Sequence, residues 1–383
     1  MYPLINETSN RIWKKLQVQL DKRYNIIGYV DLQYYRYNLD GLYQKIKSLS
    51  KDCYNPTDKI VVFHYDTEFY INDQIGVITY NFLSFIKTLM ISPSVFVVLT
   101  STYNYEEDLK YFYKKNYYKH DFNNDWFTVI ENHYTVLQAQ EENFKHDEIG
   151  YEDIEFSYSC LNGCRRSHRQ VLLSLLAEYD LLKKGIVSWW FNQTSRYNTP
   201  NTTYKLPKIG IINTAYNDDF PLDELTSNIF LKHQTLFNKN FIHDAIDSEV
   251  NNDRWNLNFC KKSFLQITCE TTFSYPRPYI SEKTIRNFLL KRPFIIVGSP
   301  GTIFQLQKLG FKTFNDFWNE SYDLDKCHLT RLQKIFKIVK DICSKDIDEL
   351  QNICYNMSDI LEYNANHYIT YYANKRLETL FND

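Results

Sequence analysis

Residues 278–303 read PYISEKTIRNFLLKRPFIIVGSPGTI and place an acid beside a base where a helix should begin. Ser281 is a favourable N-cap residue, and Glu282, Lys283 and Thr284 would form the first turn of the helix EKTIRNFLLK. The acid complements the helix dipole, whereas a lysine in a first turn opposes it unless an anion is bound there. A bound phosphate would supply that anion. A capped helix with a solvated lysine explains the same residues, so both interpretations stay open.

The run FIIVGSPGT at 294–302 predicts a buried strand that enters a Gly-Ser-Pro-Gly turn and then a second helix, TIFQLQKLG. Turns of this kind often only reverse the chain, although some contact a ligand. This one lacks the Gly-Lys-Ser/Thr of a Walker loop and the third glycine of a dinucleotide fingerprint. Nucleoside triphosphate hydrolysis and dinucleotide redox chemistry therefore lose support.

The order of strand, polar loop and helix recurs in the first part of the chain. Short β-rich runs are NIIGYVDLQYY, KIVVFHYD and SVFVVLTSTYN, and helical patterns are YNFLSFIKTLM and EEDLKYFYKKNYY. Strands that alternate with helices predict an α/β layer with a parallel sheet over roughly residues 20–140.

A second α/β region follows. SHRQVLLSLLAEYDLL predicts an amphipathic helix that ends at Lys183, Lys184 and Gly185, and NQTSRYNTPNTTYKLP predicts a loop. The runs KIGIINTAY, KSFLQITCETT and RPFIIVGSPGT predict further strands, and the tail from about residue 330 is mostly helical. We expect an N-terminal domain over 1–155, a C-terminal domain over 156–345, and helices over 346–383 that pack back on the first domain.

Composition restricts the class of protein. The chain has 383 residues and a formal net charge of −2, so no global basic field indicates a polyanion partner. No apolar run approaches the roughly 18 residues of a membrane helix, and the N-terminus has no signal-peptide pattern. We expect a cytoplasmic protein without a membrane span. The eight scattered cysteines fit a reducing compartment.

A metal site has weak support. Cys160, Cys164 and His168 could be read as three zinc ligands, but no fourth ligand stands nearby and the neighbouring residues are basic. The sequences DLD at 323–325 and DID at 346–348 are the candidates for an Asp-x-Asp metal site. Both pairs occur in charged, helix-like sequence, so we expect no metal.

The stretch LQITCETTFSYPRPYISEKTIRNFLLKRPFIIVGSPG resembles the donor-binding segment of α1,3-fucosyltransferase-like enzymes. That segment runs strand, Glu-Asn/Thr, short loop, Tyr, Thr/Ser-Glu-Lys, helix, strand and Gly-x-Pro. Upstream, SYSCLNGCRRSHRQVLLSLL resembles the preceding part, in which an arginine opens a helix after a strand. The combined region also resembles glycosyltransferase-like proteins of phages and large DNA viruses, and if the chain is viral we expect it in the host cytoplasm.

The resemblance implies a GT-B fold, with two Rossmann-like domains that face each other across a cleft and a helical C-terminal tail. It implies that Glu282 binds the ribose hydroxyls, while Lys283 and Arg169 hold the diphosphate. Arg166 is the alternative arginine, because RRSHR permits more than one alignment.

The resemblance also assigns residues near the donor sugar or ribose. Glu270 and Thr271 match the Glu-Asn/Thr element, and Tyr279 and Ser281 match the Tyr and Thr/Ser positions. Thr271 stands where fucosyltransferases usually have Asn, which puts the identity of the donor sugar in doubt more than the fold.

The implied reaction is glycosyl transfer from a UDP- or GDP-linked sugar to an acceptor hydroxyl, inverting and without a metal or other cofactor. Fixed cations at helix starts suit a departing diphosphate. The transfer needs a base, and Asp66 or Glu68, which follow the strand KIVVFHYD, are the first choice. Glu131 and His133 hold a similar position after another predicted strand.

The acceptor is left open between a glycan, a protein and modified bases in DNA. A non-catalytic nucleotide- or carbohydrate-binding protein with the same fold is the alternative function.

Overall fold

The computed structural model describes residues 18, 20–32, 35, 38–64, 73–100, 128–131, 150–162, 166–189, 221–238, 241–243, 258–274 and 278–372. The chain divides into two compact units, one of Met1–Asn143 with Tyr372–Asp383 and one of Phe144–Tyr371. The segment expected to form separate C-terminal helices, 346–383, is thus shared between the two units.

The first unit contains a parallel sheet. Its strands are β1 (Asn25–Asp31), β2 (Asp58–His64), β3 (Phe96–Thr100) and β4 (Thr128–Glu131), and they lie side by side in chain order. Helix α1 (Leu39–Ser50) follows β1, and helix α2 (Asp73–Thr88) follows β2.

Both faces of this sheet are covered, which explains why its strands are continuous apolar runs. Ile60 and Val62 of β2 pack in one cluster with Ile46 of α1 and Phe82 of α2. Val61, between them, packs in a second cluster on the other face. The predicted α/β layer with a parallel sheet is confirmed over these strands.

The second unit contains a five-stranded sheet among its described residues. Its strands are β5 (Phe156–Asn162), β6 (Gly185–Trp189), β7 (Phe241–His243), β8 (Ser263–Cys269) and β9 (Phe294–Val297). The strand order is β7-β6-β5-β8-β9, and only β7 is antiparallel to its neighbour.

The helices between these strands are α3 (Ser167–Glu178), α4 (Glu224–His233), α5 (Asn258–Lys261) and α6 (Glu282–Leu290), and α7 (Thr302–Lys308) follows β9. The chain moves from β5 to β6 in one direction and later returns to place β8 on the other side of β5. The order of the strands therefore reverses between β5 and β8. In open α/β sheets, such a reversal leaves a crevice at the carboxyl ends of the two strands.

The C-terminal part of the second unit is helical, as predicted. It consists of α8 (His328–Cys343), α9 (Ile347–Asn356), α10 (Ser358–Asn366) and the short helical stretch His367–Tyr372. Helix α9 contacts β5 and β8, and α10 contacts α6. Asn364 fixes α10 to the loop after α7, because its side-chain amide exchanges hydrogen bonds of 2.8 and 2.9 Å with the main chain of Lys312.

The end predicted for α3 is wrong. The helix ends at Glu178, and Asp180 adopts a left-handed backbone conformation with φ of 56°. Lys183 and Lys184 lie in a separate short helical turn before β6, where the Lys183 ammonium pairs with Asp180. Basic residues followed by glycine resemble a helix end, but the left-handed residue stops this helix earlier.

No helix within the ranges given above is long and apolar enough to cross a membrane.

Candidate functional site

Helix starts meet at the carboxyl edge of the second sheet. Helix α3 follows β5, α6 follows β8, and α7 follows β9, so the strand reversal places the starts of α3 and α6 beside the crevice. Helix N-termini present free N–H groups and a positive dipole end, and both favour anions. This arrangement brings together most of the residues that the sequence singled out.

The first turn of α3 is polar and buried. Arg166, at the N-cap position, has 2% of its surface exposed, and Arg169 has 3%. Between them, Ser167 and His168 are buried completely. Burying guanidinium groups is costly unless they are compensated by other polar groups.

Arg169 connects α3 to the end of β8. Its Nη2 atom donates hydrogen bonds to the main-chain carbonyls of Cys269 at 2.9 Å and Glu270 at 3.1 Å. The ring of His168 lies 3.1 Å from the same Glu270 carbonyl through Nε2. The residue proposed for diphosphate binding therefore also holds the backbone beside Glu270.

Glu270 is the residue on which the matched segments converge. Its side chain is fully buried, and Oε1 accepts hydrogen bonds from the Ser281 amide at 3.0 Å and from Thr284 Oγ1 at 2.6 Å. Its second oxygen, Oε2, has no hydrogen-bond partner among the described residues. A buried carboxylate oxygen without a donor is costly, and it is suited to accept a hydrogen bond from a ligand.

The start of α6 confirms the predicted cap. The Ser281 hydroxyl accepts a hydrogen bond from the Lys283 amide at 3.2 Å, and Lys283 Nζ lies 3.5 Å from the same oxygen. Lys283 and Tyr279 are partly buried, and Thr271 is buried. The backbone of Glu282 begins the helix, but its side chain is outside the description.

The turn after β9 has an identifiable structural role. An added Cβ at Gly298 would lie 3.3 Å from Glu270 Cβ, so glycine here permits the close packing of Glu270. Ser299 Oγ pairs with Thr272 Oγ1 at 2.9 Å, which links the loops after β8 and β9. Gly301 has φ of 80°, a conformation that favours glycine.

The start of α7 is capped by a side chain from a later part of the chain. The Asp323 carboxylate accepts hydrogen bonds from the amides of Ile303 at 3.0 Å and Phe304 at 3.1 Å. Burial raises the pKa of Asp323 above its ordinary range even though these donors lower it. The helix after the Gly-Ser-Pro-Gly turn is therefore capped by a carboxyl group of the protein.

An aromatic stack supports the loop after β8. The ring of Phe273 lies parallel to that of His168, with centroids 5.0 Å apart, and the Arg331 guanidinium lies 4.3 Å from the Phe273 ring centre. Arg331, in α8, also donates to the Phe273 carbonyl. The stack holds the segment that begins at Glu270 between two helices.

The described zinc candidates, Cys160 and His168, are not arranged as metal ligands. Cys164 lies outside the described residues, and His168 faces the Glu270 carbonyl. Cys160 accepts a hydrogen bond from the Cys269 thiol, and this bond lowers the pKa of Cys160 and raises that of Cys269. Within the described ranges, no group of three His, Cys, Asp or Glu side chains is placed to hold a metal.

The aspartates of the two Asp-x-Asp candidates cap helix starts, lie in a first helical turn or form an ion pair. Asp325 pairs with Lys334 at 2.8 Å, beside the capping residue Asp323. Asp346 is the N-cap of α9 and accepts a hydrogen bond from the Glu349 amide at 2.8 Å. Asp348 lies in the first turn of the same helix, where an acid complements the dipole.

The candidate bases cannot be placed. Asp66, Glu68 and His133 lie outside the described residues, and Glu131 is described only as the last backbone position of β4. Their proposed roles remain predictions.

Sequence reasoning missed several residues that build the site. Phe273 and Arg331 act through a contact between residues far apart in the chain, and no local pattern marks them. Thr284 and Asp323 were noticed as a first-turn residue and a metal candidate, but their contacts with Glu270 and the start of α7 were not predicted. Thr284 carried one available signal, since a hydroxyl in the first turn of α6 can reach a carboxylate that follows the preceding strand.

The chain matches no protein-family model, no curated protein and no solved structure.

Proposed function

We propose that this protein is a glycosyltransferase that moves a sugar from a UDP- or GDP-linked donor to an acceptor hydroxyl. We propose further that the two units adopt a GT-B arrangement and that the transfer is inverting and independent of metal. The acceptor would be a glycan, a protein or a modified base in DNA.

The main support for this proposal is that the two matched segments contact each other at Glu270. The segments at 157–176 and 265–301 resemble fucosyltransferase-like enzymes separately, and in the structure they meet through hydrogen bonds to the main chain and side chain of Glu270. They meet at the strand reversal, where α/β sheets bind their ligands. The sequence resemblance and the topology therefore favour the same location.

The chemistry of glycosyl transfer fits these residues. Negative charge grows on the departing nucleoside diphosphate, and preorganised cations and N–H groups stabilise such charge. Arg166 and Arg169 lie at the start of α3, and Lys283 lies at the start of α6. Glu282 would bind the ribose hydroxyls, and Glu270 Oε2 would accept a hydrogen bond from a hydroxyl of the sugar or ribose.

The base belongs to the first unit in this proposal. Asp66 and Glu68 follow the last residue of β2 in the chain, and α/β proteins commonly bind ligands with the loops after their parallel strands. A carboxylate there would remove the proton of the acceptor hydroxyl as the new bond forms.

Isothermal titration calorimetry with UDP, GDP, uridine and guanosine tests the proposed function. We expect one nucleoside diphosphate to bind in the presence of chelator, and to bind much more tightly than its nucleoside. Failure of both diphosphates to bind would contradict the proposal. Tight binding without any donor turnover would instead favour the non-catalytic binding protein.

A further inference from the structure

The start of α3 differs in its polar groups from a normally capped helix. Arg166 occupies the N-cap position with an extended backbone, and its side chain makes no capping hydrogen bond. The first turn of this 12-residue helix contains no acidic residue. The starts of α6 and α7, by contrast, receive hydrogen-bond acceptors from Ser281 and Asp323.

Ser167 provides an independent observation at the same place. It is the first residue of α3, it is completely buried, and its hydroxyl has no hydrogen-bond partner among the described residues. Ser174, two turns further along, shows the usual arrangement, because its hydroxyl donates to the Gln170 carbonyl at 2.9 Å. Ser167 has no carbonyl of an earlier helical turn to reach.

An unpartnered buried hydroxyl costs free energy, and alanine at the first helical position would avoid that cost. A serine there is explained if its hydroxyl donates to a ligand. The ligand must be an acceptor and should be negatively charged, because the helix dipole and the adjacent Arg166 and Arg169 all favour an anion. Phosphate oxygens meet both requirements.

We infer that the Ser167 hydroxyl and the first turn of α3 bind a phosphate group. The inference rests on the proposed function, since the phosphate is then one of the two in the donor and in the nucleoside diphosphate product. Ser167 is a binding residue in this account, and it was not singled out by the sequence. The diphosphate would be held by a helix start, a hydroxyl and guanidinium groups together.

Calorimetric titration of the full chain with inorganic pyrophosphate, inorganic phosphate, UDP and GDP tests this inference. Ser167→Ala should weaken pyrophosphate binding by about tenfold or more, the usual effect of losing a hydrogen bond to a charged group. Ser174→Ala is the matched control, because it removes a buried hydroxyl from the same helix, and it should leave pyrophosphate binding unchanged.

The thermal stability of Ser167→Ala distinguishes a ligand-binding role of the Ser167 hydroxyl from a structural role. Ser167→Ala should leave the thermal midpoint of the ligand-free protein unchanged or raised, since no internal hydrogen bond is lost. A lowered midpoint together with unchanged pyrophosphate binding would show that the hydroxyl serves the fold, and it would overturn the inference.

The experiment also distinguishes this inference from the proposed function. Pyrophosphate that competes with UDP or GDP identifies the site as that of the donor diphosphate, whereas phosphate binding without such competition identifies a free-phosphate site and overturns the assignment to the donor. If Ser167→Ala binds both pyrophosphate and the nucleotide like the unmodified protein, the inference fails while the proposed function stands. If the unmodified protein binds none of the four compounds, both fail.

Discussion

Thr284→Val tests whether Glu270 organises the site as a buried anion. Thr284 is fully buried, and its hydroxyl donates to Glu270 Oε1 at 2.6 Å. Valine has nearly the same shape, so the change removes the donor and leaves little cavity. A hydrogen bond to a charged group contributes about 1.5–3 kcal/mol, and we expect a loss of about 2 kcal/mol in the stability of the second unit.

Thr302→Val is the matched control. Thr302 is also buried, but its hydroxyl donates at 2.7 Å to the neutral carbonyl of Ser299. A bond to a neutral acceptor contributes about 1 kcal/mol, so this variant should lose roughly half as much stability. In a Glu270→Gln background, the cost of Thr284→Val should fall toward the cost of the control, because the acceptor is then neutral.

Amide hydrogen exchange in β8 and β9 is the suitable assay. A chain with two compact units need not unfold in a single step, and exchange reports the opening free energy of the second unit separately. A cost for Thr302→Val equal to or greater than that for Thr284→Val would refute the view of Glu270 as a charged organising residue.

Three further predictions concern ligand binding, pH and metal. Lys283→Ala should weaken nucleoside diphosphate binding much more than nucleoside binding in calorimetry, and equal losses would refute its phosphate role. Burial raises the pKa of Glu320 above its ordinary 4.5, so the folded chain holds this proton more tightly than the unfolded chain. The free energy of unfolding should therefore fall as pH rises from about 4.5 through the pKa of the folded state. Urea unfolding should show a smaller fall for Glu320→Gln, and the same dependence on pH in the variant would contradict this role of Glu320. Donor turnover should persist in excess chelator, and complete loss that Mg²⁺ restores would contradict the fixed-cation mechanism.

The sequence predicted the parts of the fold that depend on local patterns. β2 and β8 were recognisable because buried parallel strands are continuous apolar runs bounded by polar residues. The cap at Ser281 was predictable because the capping hydroxyl and the amide that it accepts from are two residues apart. Glu270 and Arg169 could be singled out by resemblance, and the structure brings them into contact.

Contacts between distant residues could not be predicted in this way. Asp323 caps a helix about 20 residues before it, and Arg331 lies 58 residues from the phenylalanine that it covers. The early end of α3 depends on the left-handed conformation of Asp180, which an aspartate adopts only occasionally. The missing partner of the Ser167 hydroxyl becomes visible only when burial and hydrogen bonds are both known.

Release of nucleoside diphosphate from UDP- and GDP-linked sugars tests the central claim most directly. In chelator, the unmodified protein should release UDP or GDP from at least one donor, by slow hydrolysis where the acceptor is missing. Arg169→Ala should raise the barrier by about 2–4 kcal/mol, the scale for removing one preorganised donor. Arg169→Lys, which keeps the charge, should lose less. Absence of release from every donor, with and without divalent metal, together with absence of nucleotide binding, would contradict the account.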